Sequence, residues 1–84
     1  MTKEALKDRA KETITTDIQT KITVYGASAE RRAKDIREML QYRYDDMWTP
    51  YDEKMLELYE NDVDVLTECQ NIMTKLLAFI ETLR

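Results

Sequence analysis

Eighty-four residues with 13 Lys plus Arg, 17 Asp plus Glu and no histidine describe one small acidic domain, residues 1–84, of formal charge −4. A single cysteine (Cys69), a single glycine (Gly26) and a single proline (Pro50) exclude an intrachain disulfide, a Cys/His zinc site, a nucleophile working through histidine and a glycine-rich phosphate loop. Charged residues at 36% and apolar ones at 43%, with almost no Gly or Pro, predict an all-α fold, because sheets and their turns consume what helix interiors reject.

The opening stretch Met1–Leu6 mixes charges and lacks the apolar centre of a signal segment. The longest uninterrupted apolar run, Leu76–Ile80, is five residues, far short of the ~20 that span a membrane. No membrane contact and a cytoplasmic setting are therefore expected. Leu6, Ala10, Ile14, Ile18 and Ile22 recur every fourth residue and predict a helix over residues 3–24. Its second half is rich in β-branched residues, and Lys21–Tyr25 alternates like a strand. With nothing in the chain to pair such a strand, helix is the better reading, fraying near Gly26. Glycine suits the left-handed residue after a helix and Ser28 the cap of the next, so a break is expected at Tyr25-Gly26-Ala27-Ser28.

A second helix is predicted over residues 29–47, burying Ala29, Ala33, Ile36, Met39 and Leu40, with Tyr44 and Met47 as further candidates for burial. The boundary that follows is marked by Trp48-Thr49-Pro50: Thr49 caps, Pro50 fits the first helical position, and Asp52 and Glu53 place negative charge in the first turn. From Pro50 onward neither Gly nor Pro occurs. Met55, Tyr59, Leu66, Cys69, Met73, Leu76, Ile80 and Leu83 form a spine in steps of three and four, flanked by Leu58, Val65, Ile72 and Phe79 on one side and Leu56, Val63 and Leu77 on the other. Asp62 interrupts the spine, leaving either one helix over residues 50–83 or two with a kink at 61–64.

An unbroken third helix would span roughly 52 Å against ~30 Å for each of the first two. It would project beyond what its own chain covers. The balance favours a homo-oligomeric three-segment bundle, most simply a dimer, over a four-helix monomer. The expected oligomer interface comprises Leu66, Cys69, Ile72, Met73, Leu76, Phe79, Ile80 and Leu83.

Charge is uneven along the chain: residues 1–43 carry ten basic and seven acidic side chains, residues 44–84 three basic and ten acidic. The aromatic and acidic stretch of Tyr44, Asp45, Asp46, Trp48, Tyr51 and Asp52 is a candidate protein-binding surface, since Tyr and Trp combine apolar area with a polar handle. Arg31, Arg32, Lys34, Arg37 and Arg43 form a candidate phosphate-binding face for nucleic acid. The carboxylate pairs Asp45/Asp46, Asp52/Glu53 and Asp62/Asp64 lack the spacing of a calcium loop and are read as caps and solvated surface. No catalytic residue, cofactor or metal ligand is assigned. The expected function is non-enzymatic: a regulator, adaptor or inhibitor that works through protein–protein contact and self-associates through its C-terminal helix. A dimeric nucleic-acid-binding protein is the alternative.

Overall fold

The computed structural model describes residues 2–83. Two long helices, α1 (Lys3–Leu40) and α2 (Pro50–Thr82), run antiparallel as a hairpin, joined by a tip at residues 41–49. No strand occurs among the described residues. Thr2 caps α1 by accepting from the Ala5 amide at 3.1 Å. At the open end Lys11 Nζ donates to the Leu83 carbonyl at 2.8 Å, tying the last turn of α2 to the first turns of α1.

The all-α reading holds, but two helices replace the three segments. The expected break at Tyr25–Ser28 does not form: α1 passes through it without a positive φ at Gly26. The reason lies 44 residues away in sequence. Gln70 Nε2 donates to the Ile22 carbonyl at 3.2 Å, and a Cβ on residue 26 would stand 2.6 Å from that same nitrogen. Gly26 therefore serves a close approach between helices, not a helix end. The second predicted helix stops earlier than residue 47. From Gln41 the backbone tightens into turns, and Tyr44 takes the left-handed conformation (φ 69°), which no helix can continue through. The third segment is one unbroken helix, with no kink at 61–64.

These corrections change the length argument. At 1.5 Å per residue, α1 reaches about 57 Å and α2 about 50 Å, and the C-terminal end of α2 meets α1 at Lys11, so α2 does not project beyond its partner. The molecule measures 68 × 17 × 16 Å. The surplus surface lies along the sides of the rod, not at its end.

The seam between the helices uses Ile18, Ile22, Tyr25, Ala29, Arg32, Ile36 and Met39 of α1 and Leu56, Tyr59, Val63, Leu66, Gln70, Met73, Leu77 and Ile80 of α2, all buried or half-buried. Both series advance in steps of three and four, as antiparallel coiled-coil packing requires. Among the described residues the buried apolar side chains are Ile18, Leu56 and Ile80. A compact monomer of this mass exposes about 5,200 Å², whereas this hairpin exposes 6950 Å². Its radius of gyration is 19.3 Å, against about 12 Å for a compact chain of this length.

Candidate interaction surface

α2 is apolar on two faces. One is the seam. The other begins roughly a third of a turn round the helix, where Leu58, Val65, Ile72 and Phe79 follow one another at intervals of seven and stand 60%, 52%, 51% and 60% exposed. Leu76 and Leu83, also exposed, widen the stripe toward the open end. Asn61, Glu68 and Lys75 fall along its outer edge by the same helical repeat. A second apolar stripe of this kind is what a helix carries when it has neighbours on two sides.

The eight residues expected at an oligomer interface divide between these faces. Leu66, Met73 and Ile80 are turned to α1, Ile80 fully so, and serve the hairpin itself. Ile72, Leu76, Phe79 and Leu83 point outward. Cys69 is half-buried between the two sets. Leu58 and Val65 complete the outward stripe. Their signal in the sequence was the seven-residue spacing they share with Ile72 and Phe79.

The six aromatic and acidic residues near the tip also divide. Asp52 belongs to the cap of α2: its amide donates to Thr49 Oγ1 at 3.3 Å while its carboxylate accepts from the Thr49 amide at 2.9 Å, a reciprocal capping box with Pro50 in the first turn. Trp48 is half-buried, and its indole Nε1 donates to Glu53 Oε2 at 2.9 Å. The other Glu53 oxygen accepts from Arg43 Nη2. Glu53 thus fastens both sides of the tip to the first turn of α2. The hydrogen bond to Glu53 also holds the Arg43 guanidinium above its usual pKa. Tyr44, Asp45, Asp46 and Tyr51 stand exposed, Tyr44 by 82%, and Met47 beside them by 83%.

The five basic residues are not one face. Arg32 sits in the seam: its Nε donates to Asp62 at 3.0 Å and its Nη1 to Asp35 at 3.2 Å, with the guanidinium 4.4 Å from the Tyr59 ring centroid. Arg43 is engaged with Glu53 and lies 5.2 Å from the Tyr44 ring centroid. Arg31, Lys34 and Arg37 remain together on the outer side of α1, around a shallow depression shared with Ala27, Glu30 and Ala33.

Among the described residues no group of three Cys, Asp or Glu is arranged to hold a metal ion, and no helix is long and apolar enough to cross a membrane. A concavity of about 700 Å³ opens at the free end between Lys7, Lys11 and Ile14 of α1 and Ile80 and Leu83 of α2, and it is lined by ordinary helix-surface side chains. No family model matches the chain, and neither a curated protein nor a solved structure is significantly similar to it.

Proposed function

We propose that this chain works by protein–protein contact, as a helical hairpin that assembles with copies of itself through the outer face of α2 and carries out no chemistry of its own. The observation that supports this reading is the exposed stripe Leu58–Val65–Ile72–Phe79, widened by Leu76 and Leu83. Six half-exposed aliphatic and aromatic side chains in one band form a contiguous apolar patch, the kind of surface that marks an interaction site. Burying that band against a second copy removes it from water and brings the total surface closer to that of a compact protein. A regulator, adaptor or inhibitor is the class of protein this describes, with the exposed Tyr44, Met47 and Tyr51 at the acidic tip offered to a protein of different sequence.

Sedimentation equilibrium over a concentration series tests the reading. The expected result is a mass of twice 10.0 kDa or more at micromolar concentration, collapsing toward the monomer in Ile72→Glu, which places a carboxylate in the middle of the stripe without touching the seam. A wild-type chain that stays monomeric at high micromolar concentration while remaining helical by circular dichroism would sink it.

A further inference from the structure

We infer that the copy covering this stripe lies antiparallel to the first, tip beside open end, with Leu58 of each α2 packed on Phe79 of the other and Val65 on Ile72. The inference rests on the self-association proposed above and specifies its geometry. Two observations carry it: the symmetry of the stripe and the distribution of charge along the rod.

Leu58, Val65, Ile72 and Phe79 are evenly spaced. A two-fold axis crossing α2 between residues 68 and 69 therefore superposes the row on itself in reverse. Under that operation the two larger side chains meet at the ends of the row and the two β-branched ones meet near the axis. Each contact then joins side chains of unlike shape, which is how facing rows interdigitate at native density. The stripe is long enough for this. Twenty-one residues separate Leu58 from Phe79, about 32 Å of helix along which two such rows meet.

A parallel pair would also bring stripe to stripe, so charge decides the direction. The tip half of the hairpin, residues 23–71, holds twelve carboxylates and six cations, a balance of −6. The open half, residues 2–22 and 72–83, holds six cations and five carboxylates, a balance of +1. Packed helices sit about 8–10 Å apart, no more than one Debye length of ~10 Å at 0.1 M salt. A parallel arrangement sets the −6 half of one rod alongside the −6 half of the other. The antiparallel one sets −6 beside +1 at both ends, and like-charge juxtaposition of the first kind is what selects against a wrong orientation. Thr49 to Asp64 alone contribute Asp52, Glu53, Glu57, Glu60, Asp62 and Asp64 against the single Lys54. Repulsion between two such segments would fall directly along the parallel interface.

Disulfide capture reads the geometry. In a Cys69→Ala parent, Leu58→Cys and Phe79→Cys are prepared as separate chains, mixed, and oxidised gently, and the linked species are identified by intact mass. Both substitutions lie on the exposed stripe, and circular dichroism checks that each chain is helical. The antiparallel dimer yields a disulfide only between a Leu58→Cys chain and a Phe79→Cys chain, because like cysteines would be about 32 Å apart, far outside the 4.4–6.8 Å Cα separation a disulfide accepts. Each variant oxidised alone yields no linked dimer. Linkage within either variant alone, or a dimer by sedimentation that gives no mixed product, overturns the antiparallel register. A parent chain that is monomeric by sedimentation overturns the self-association on which it rests, so the two failures are distinct.

Discussion

Gly26 and Gln70 show how one residue's role is set by another that is distant in sequence. In the middle of a helix glycine costs about 0.8–1 kcal/mol relative to alanine. Here the missing side chain leaves the Ile22 carbonyl open, and Gln70 uses it. A double-mutant cycle separates the two effects. Gly26→Ala alone is expected to change stability by less than about 1 kcal/mol, because the gain in propensity is offset by loss of a hydrogen bond worth about as much. In a Gln70→Ala background the same change is expected to stabilise by up to ~1 kcal/mol, since only the propensity remains. Urea denaturation of the four chains measures it, and equal effects in both backgrounds would remove the contact from any energetic role. The role of Gly26 was not legible in the chain. Read locally, Tyr25-Gly26-Ala27-Ser28 has every mark of a helix end, and only the presence of Gln70 across the seam reverses it. Arg32 was hidden in the same way, since nothing in a run of basic residues distinguishes the one that faces Asp62 and Tyr59.

The elements themselves were more legible where their signals are local. Thr49-Pro50-Tyr51-Asp52 carries the whole of the α2 N-terminus within four residues, and the structure closes the capping box there. Thr49→Ala is expected to cost about 1 kcal/mol of helix stability. Glu53→Ala frees both Trp48 and Arg43, removing two charge-assisted hydrogen bonds to one carboxylate, and is expected to loosen the tip. Trp48 is the single tryptophan, so its emission reports the tip alone. A red shift in Glu53→Ala together with an unshifted spectrum in Ile72→Glu is the expected pattern. The two faces of α2 were also present in the sequence as a spine with flanking rows. What spacing could not assign was which row faces α1. Steps of three and four describe both, and the choice depends on the position of the partner helix, which the premature break at Gly26 had misplaced.

At the scale of the molecule, a rod with three buried apolar side chains among the described residues has little interior to hold it together. Domain stability usually amounts to 5–15 kcal/mol left over from much larger opposing terms. A chain that leaves about a third more surface than a compact protein of its mass has less burial to set against chain entropy. If the outer face of α2 is shared between copies, stability becomes a function of concentration. The expected outcome is a midpoint of thermal unfolding that rises over about a hundredfold increase in chain concentration, and that ceases to depend on concentration in Ile72→Glu. A wild-type midpoint independent of concentration would argue for a hairpin that stands alone. The surplus apolar surface expected in the C-terminal third is present at Ile72, Leu76, Phe79 and Leu83. An overhanging α2 would carry that surface beyond its partner, whereas it lies along the flank of two helices of nearly matched length.

The gap at Gly26 also determines how the two helices may slide past each other. Antiparallel helices with regular seams can shift by one seven-residue repeat and still find apolar contact, because the repeat looks alike at each level. Such a shift would carry Gln70 opposite Gln19 or Ala33, the residues seven places either side of Gly26. Both have a Cβ that shields the backbone carbonyl behind it. The half-buried amide would then lose this partner, at a cost of about 1 kcal/mol. A polar side chain that fits one notch therefore favours one alignment of the rod over those displaced by a repeat, and with it one placing of the outward residues on α2.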